Sequence, residues 1–173
     1  MKLKKYSNVL AFIISATIVY VIFNFILLNG FIPSESMKNT LNVGDFILCN
    51  RMVNKDNLKN GDVVVFENNG EKVVKRVIGV SGDKISIKNG KVYLNNKELK
   101  EKYVNGSTFG GPNGTEYIVP IGKFFLMGDN RNNSFDSRFM NSIYIPKKNI
   151  KAKVILKYRL ELLKFNFYIK KVL

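Results

Sequence analysis

The chain changes pattern near residue 30. Upstream, residues 6–34 carry no Asp, Glu, Lys or Arg, and residues 9–28 form an apolar run with one strongly polar interruption, Asn24. Twenty residues make a helix of about 30 Å, the thickness of a bilayer core. Downstream the period falls to two. Short β-branched or aromatic segments at 46–48, 63–66, 73–80, 85–87, 92–94, 117–119, 124–127 and 154–156 read as strands. Asn60-Gly61-Asp62, Asn69-Gly70, Ser81-Gly82-Asp83, Asn89-Gly90 and Pro112-Asn113-Gly114 separate them as turns. Asn89-Gly90 lies between two alternating runs, 84–88 and 91–94, which predicts a tight hairpin. Strands do not alternate with helices, so a parallel α/β sheet is disfavoured and a mainly β, antiparallel domain is expected. Residues 103–115, rich in glycine, read as a long loop. The tail, 158–173, mixes Leu, Phe and Ile with Lys and fits either an edge strand or a basic amphipathic segment.

Three regions follow: a cytoplasmic N-terminus at 1–8, a transmembrane helix at 9–29, and an extracytoplasmic domain at 30–173. Lys2, Lys4 and Lys5 set the orientation, since basic flanks stay in the cytoplasm. A secretory signal peptide would share the basic start, but its apolar core runs only about 7–15 residues. The net charge is +15, and 25 of the 28 Lys and Arg lie outside the N-terminal flank. That surplus suits a solvated surface or contact with anionic lipid, at about 1 kcal/mol per nearby cation. A nucleic-acid partner is not expected for an exported domain. The chain has no histidine and a single cysteine, Cys49. Cys–His catalysis and an intramolecular disulfide are excluded, and neither a zinc site nor any cofactor is expected. Cys49 shares a side of its strand with Ile47 and reads as a small buried hydrophobe.

Directly after the apolar run comes Phe31-Ile32-Pro33-Ser34-Glu35-Ser36-Met37. A nucleophilic serine there has no imidazole to activate it. In Lys72-Val73-Val74-Lys75-Arg76-Val77-Ile78 the strand period puts Lys75 on one face with Val73 and Val77, and Arg76 on the other with Val74 and Ile78. A lysine buried among apolar side chains gives up its proton more readily, whereas arginine stays charged. Lys75 is therefore the candidate base for Ser36. Each residue alone also fits a bland role, an edge cation or a turn serine. A third element tips the balance. The apolar strand at 124–127 runs into Gly128-Asp129-Asn130-Arg131-Asn132-Asn133-Ser134-Phe135-Asp136-Ser137-Arg138, too rich in hydrogen-bonding groups for a simple connector. Asp136 and Arg138 are suited to brace one another, and Ser134 to orient a neutral lysine amine.

Ser34-Glu35-Ser36-Met37, Gly61-Asp62-Val63-Val64-Val65-Phe66, Lys75-Arg76-Val77-Ile78-Gly79 with Gly82-Asp83, and residues 128–138 closely resemble, in order, the conserved boxes of bacterial type I signal peptidases. The resemblance covers nearly all of residues 31–140, and its last box is the most specific. It implies a mainly β catalytic domain of signal-peptidase type behind one membrane helix, with an exposed apolar surface beside the membrane. It further implies a compact serine–lysine dyad endopeptidase that removes signal peptides from secretory preproteins after small-x-small sites, near the export translocon. On that resemblance Ser36 is the nucleophile and Lys75 the general base. Ser34 and the Ser36 backbone N–H form the oxyanion hole, and Ser134 positions the lysine. Asp129, Arg131, Asp136 and Arg138 are the structural scaffold, and Met37 lines the substrate pocket. One departure stands out: the family usually has proline before Thr-Leu, where this chain has Asn39 before Thr40-Leu41, which predicts a looser turn after the nucleophile. Rival readings are a soluble self-cleaving repressor, a degenerate chaperone of surface-fibre assembly, and a basic membrane-tethered binding module. The anchor argues against the first, retention of both Ser36 and Lys75 against the second, and the third makes both residues expendable.

Overall fold

The computed structural model describes residues 2–104, 106–161 and 166–172. Helix α1 (Lys2–Val21) continues through a π-helical turn, Ile22–Ile26. Residues 6–26 form a segment long and apolar enough to cross a bilayer, and none of it is buried against the rest of the chain. Three of its polar side chains bond within the helix. Ser15 Oγ donates to Phe12 O, Thr17 Oγ1 to Ile13 O and Asn24 Nδ2 to Tyr20 O, at 2.8–2.9 Å. In lipid, where water cannot serve, such internal pairing is what makes these residues tolerable.

The helix ends earlier than its hydropathy predicts. Residues 27–29, counted in the expected span, open strand β1 (Leu27–Phe31), because Leu27 turns extended (φ −106°, ψ 148°) and Leu28 enters the core. The other strands are β2 (Phe46–Asn50), β3 (Val63–Asn68), β4 (Glu71–Gly79), β5 (Lys84–Lys88), β6 (Lys91–Leu94), β7 (Lys97–Glu98), β8 (Glu116–Ile118), β9 (Lys123–Met127), β10 (Ile145–Pro146), β11 (Ile150–Glu161) and β12 (Asn166–Lys171). They form a large sheet in the order β1-β2-β11-β3-β4-β9-β10, with β12 added to β11, and a smaller sheet, β7-β6-β5-β8. Pairing is antiparallel throughout the described residues. The mainly β expectation holds, and the tail resolves as a strand, although its residues 162–165 and 173 lie outside the described residues.

Local turn chemistry sets the register. Asn89-Gly90 closes β5–β6 with φ of 51° and 76°, Asn69-Gly70 closes β3–β4 with 50° and 85°, and Asn95-Asn96 closes β6–β7 with 51° and 66°. Two consecutive positive φ values match the right-handed twist of the strands they join. Cys49 is fully buried beside Leu28, Ile47 and Val154, and desolvation pushes its thiol up to about 12, so it is inert packing.

Two features of the sheet position the site. β9 pairs with β4 only from Arg76 onward, so toward Glu71 that edge of β4 has no strand beside it among the described residues. The segment following β1 packs near this open edge. Backbone bonds from Ile32 N to Asp45 O and from Gly44 N to Ile32 O tie it to the start of β2.

Candidate active site

Strand alternation on β4 buries both neighbouring cations, Lys75 at 3% exposure and Arg76 at 1%, facing opposite ways. Lys75 reaches the loop after β1, where its Nζ lies 2.6 Å from Ser36 Oγ. Desolvation lowers the lysine from 10.5 to about 8, overcoming the Asp136 and Asp129 carboxylates, which raise it, with the Arg138 guanidinium adding to the fall. Ser36 itself is half-buried, and exposed Ser34 places its Oγ 3.4 Å from Ser36 Oγ. The arrangement joins a hydroxyl to an amine that gives up its proton far more readily than an ordinary lysine, and a neutral amine is what proton abstraction from serine requires.

The loop after β9 holds the backbone around Ser36. Asn130 N donates to Ser36 O at 3.0 Å, and Asn130 Nδ2 to Glu35 O at 3.1 Å. Gly128 permits the approach: a Cβ there would lie 2.5 Å from Ser36 O and 2.2 Å from Ser134 Oγ. Ser134 is brought to the site, but its buried hydroxyl makes no hydrogen bond, to Lys75 or to any other group, among the described residues.

Buried arginine–carboxylate forks brace this loop. Arg138 Nε and Nη2 donate to Asp136 Oδ1 and Oδ2, both at 2.9 Å, while Gly128 N donates to Asp136 Oδ2. Arg76 Nε and Nη2 grip Asp129 at 2.8 and 2.7 Å, and Thr40 Oγ1 donates to the same carboxylate. Arg131 forks onto Glu101 at 2.8 and 2.5 Å and donates to Thr108 Oγ1 at 2.8 Å. The bracing of Asp136 by Arg138 was legible as a local pair. Glu101, Thr40, Thr108 and the Arg76–Asp129 fork were not singled out by the sequence. They lie 23 to 89 residues from the groups they hold, and no local pattern pointed to them.

Two clefts meet at the Ser36–Lys75 pair. One, about 280 Å³, is lined by Phe31, Ile32, Pro33, Met37 and Val74 on its apolar side. The other, about 630 Å³, runs past Glu35, Asn69, Asn133, Phe135 and Met140. Glu71 and Val73, on the open edge of β4, border both. Met37, 2% exposed, forms part of this apolar lining. Asn39 has φ +84°, a conformation closed to proline. The turn around it is nonetheless shut by Leu41 N to Met37 O at 2.7 Å and Thr40 N to Met37 O at 3.1 Å. The looser turn expected at this position is not observed. Asparagine tolerates the left-handed conformation that the turn adopts.

A family model described as signal peptidase, peptidase S26, matches residues 5–159. Signal peptidase I of Bacillus amyloliquefaciens is 36% identical over 138 residues, covering 74% of this chain and 74% of that protein. Signal peptidase IB of Staphylococcus aureus (strain N315) is 35% identical over 148 residues, 75% of this chain and 78% of that one. Signal peptidase I of Leptolyngbya laminosa is 33% identical over 141 residues, 74% of this chain, which spans 66% of that relative's length. A solved signal peptidase I from Enterococcus faecalis V583 matches 55% of this chain and 94% of its own at 24% identity, with a TM-score of 0.46.

Proposed function

The chain belongs to the signal peptidase family, peptidase S26, and we propose that it is a membrane-anchored serine endopeptidase that removes signal peptides from exported preproteins. One observation carries the mechanism: a lysine buried to 3% exposure, lowered to about 8, with its amine 2.6 Å from a serine hydroxyl. The neutral Lys75 amine takes the Ser36 proton as Oγ attacks the scissile carbonyl carbon. The tetrahedral oxyanion accepts hydrogen bonds from the Ser36 N–H and the Ser34 hydroxyl, a donor typically contributing about 2.7–4 kcal/mol to such a transition state. The Lys75 ammonium then gives its proton to the leaving amine as the peptide bond breaks. In the second half, Lys75 deprotonates a water that attacks the acyl-enzyme ester and returns the proton to Ser36 Oγ.

The apolar cleft beside Ser36 suits the small side chains of a small-x-small site. The open edge of β4 suits an extended substrate, which would add its own backbone hydrogen bonds there. Residues 6–26 supply the anchor, with residues 2–5 in the cytoplasm and the β domain outside, at the face where preproteins emerge from the export translocon. Ser134, whose buried hydroxyl has no partner among the described residues, would orient the amine once substrate repacks the site. A basic binding module gives no reason for a buried lysine to meet a serine. The test is cleavage of a preprotein carrying a small-x-small site by detergent-solubilised full-length protein from pH 6 to 10. Turnover should rise through an apparent pKa near 8 and vanish in Ser36→Ala and Lys75→Met. Activity surviving in Lys75→Met overturns the dyad.

A further inference from the structure

β3 pairs with β11 at residues 150–153 and β12 pairs with it at 156–161, along the same edge, since β2 occupies the other. Between them a cleft of about 580 Å³ opens over Val154 and Ile155, away from Ser36. Its rim carries Lys59, Lys100, Lys153 and Lys171 against a single carboxylate, Asp62. Lys153 is bound to Asp62 at 2.6 Å. Lys59, Lys100 and Lys171 are exposed and form no ion pair among the described residues.

The cleft lies beside the end of the anchor. Lys153 is in register with Asn50, and Asn50 with Leu27, the first strand residue after the helix. Two strand spacings, roughly 10 Å, separate them. Lys171 is the cross-strand partner of Leu156, and Leu156 of Leu48, so they share a face. That face bears an apolar groove lined by Phe23, Leu48, Leu156, Tyr158 and Ile169, where the helix's last turn meets the sheet. A cleft with three lysines outside any ion pair among the described residues therefore borders, through Lys171, the face that carries the apolar groove at the end of the helix.

We propose that this cleft holds the phosphate-bearing headgroup of an anionic phospholipid in the membrane that carries the anchor. The proposal rests on reading residues 6–26 as a membrane span. The lipid is favoured over free phosphate or an acidic polypeptide by continuity with the apolar face and the helix end. Long lysine stems can follow a headgroup while their charges reach its phosphate. Each lysine near an anionic surface strengthens attraction about fivefold.

The test reconstitutes full-length protein in phosphatidylcholine vesicles with or without phosphatidylglycerol, and reads the amine-labelling rate of each lysine by mass spectrometry. Labelling of Lys59, Lys100, Lys153 and Lys171 should slow at least about threefold with phosphatidylglycerol, while Lys84 and Lys97 on the smaller sheet stay unchanged. The variant Lys59→Gln/Lys100→Gln/Lys171→Gln should float with the vesicles yet no longer show slowing at Lys153. Equal slowing at every lysine, or none, overturns the cleft as a site. Equal protection by inorganic phosphate or polyglutamate in phosphatidylcholine alone overturns the lipid as its ligand. Failure of the wild type to float with phosphatidylcholine vesicles instead overturns the membrane span.

Discussion

Lys75→Met probes the assignment without any substrate. Burial lowers the amine from 10.5 to about 8 even though Asp136 and Asp129 pull the other way. At 1.36 kcal/mol per pH unit, that fall means about 3 kcal/mol of folding free energy lost when the buried amine is charged. Below pH 8 both folded and unfolded chains hold the proton, so the loss is complete. Between pH 8 and 10.5 the unfolded chain still holds a proton that the folded one has released, and stability rises with pH. Above 10.5 both are neutral and the loss is gone. Methionine keeps an unbranched stem of similar length and carries no charge. It forfeits the hydrogen bond to half-buried Ser36, about 1 kcal/mol. The variant should therefore be more stable than wild type by about 2 kcal/mol at pH 7. At about 2–4 °C per kcal/mol, that is about 4–8 °C in Tm. Thermal melts by circular dichroism on full-length protein in detergent, at pH 7, 8.5 and 10, read this directly. The gap should close, and then reverse slightly, as pH approaches 10.5. A wild type as stable as the variant at pH 7, or a gap indifferent to pH, would show that the lysine is not desolvated and would remove the reason for treating it as the base.

Other residues give sharper local tests. Asn39→Pro cannot adopt the φ of +84° found there and should lose more than about 1 kcal/mol in urea unfolding together with most turnover, whereas Asn39→Gly should keep both. An active, stable Asn39→Pro protein would mean that the turn after Ser36 re-forms differently. Gly128→Ala places a methyl 2.5 Å from Ser36 O, so peptide cleavage should fall at least about a hundredfold, since small misplacements at a reacting centre carry that effect; unchanged kcat/KM refutes the close approach. Glu101→Gln leaves the Arg131 guanidinium, fully buried on its side chain, with a neutral partner and should cost about 3 kcal/mol in urea unfolding. A loss under about 1 kcal/mol would mean that the fork is not holding the loop.

The parts of the fold legible in the sequence are those fixed locally. Asn69-Gly70 and Asn89-Gly90 force their hairpins through backbone conformations that few other residues adopt, and period two on β4 puts Lys75 and Arg76 on opposite faces. β1 was hidden because a strand in the core and the end of an apolar helix look alike when every residue is uncharged. Only pairing with β2 distinguishes them. At the site, Ser36 and Lys75 were found because their chemistry needs each other. The grip of Arg76 on Asp129 and of Arg131 on Glu101 depends on sheet order and on where Glu101 and Thr108 come to lie, and no local pattern encodes that. Asn39 shows the reverse case. A departure from the family's usual residue suggested looseness, yet the closed turn uses the one property, tolerance of positive φ, that proline lacks.

The carboxylates around Lys75 pose an apparent conflict, because they raise the very pKa that the chemistry needs low. The arginines resolve it. Asp136 is forked onto Arg138 and Asp129 onto Arg76, all four nearly or fully buried, so each negative charge is fixed in place and largely balanced. Arg138 acts on Lys75 directly, lowering its pKa. In the resting site burial therefore prevails, and the amine becomes free to accept a proton as pH rises through about 8 rather than 10.5. Once it has done so, the new ammonium feels the favourable field of Asp136 and Asp129, whose carboxylates are already held in place by their arginine forks. The same loop supplies the Asn130 N–H that fixes Ser36 O and the Gly128 N–H that fixes Asp136. The position of Ser36 and the electrostatics of Lys75 are thereby set by one segment. Loosening it should therefore change geometry and pH dependence together, whereas a change in the clefts alone should alter substrate preference and leave the pH limb near 8.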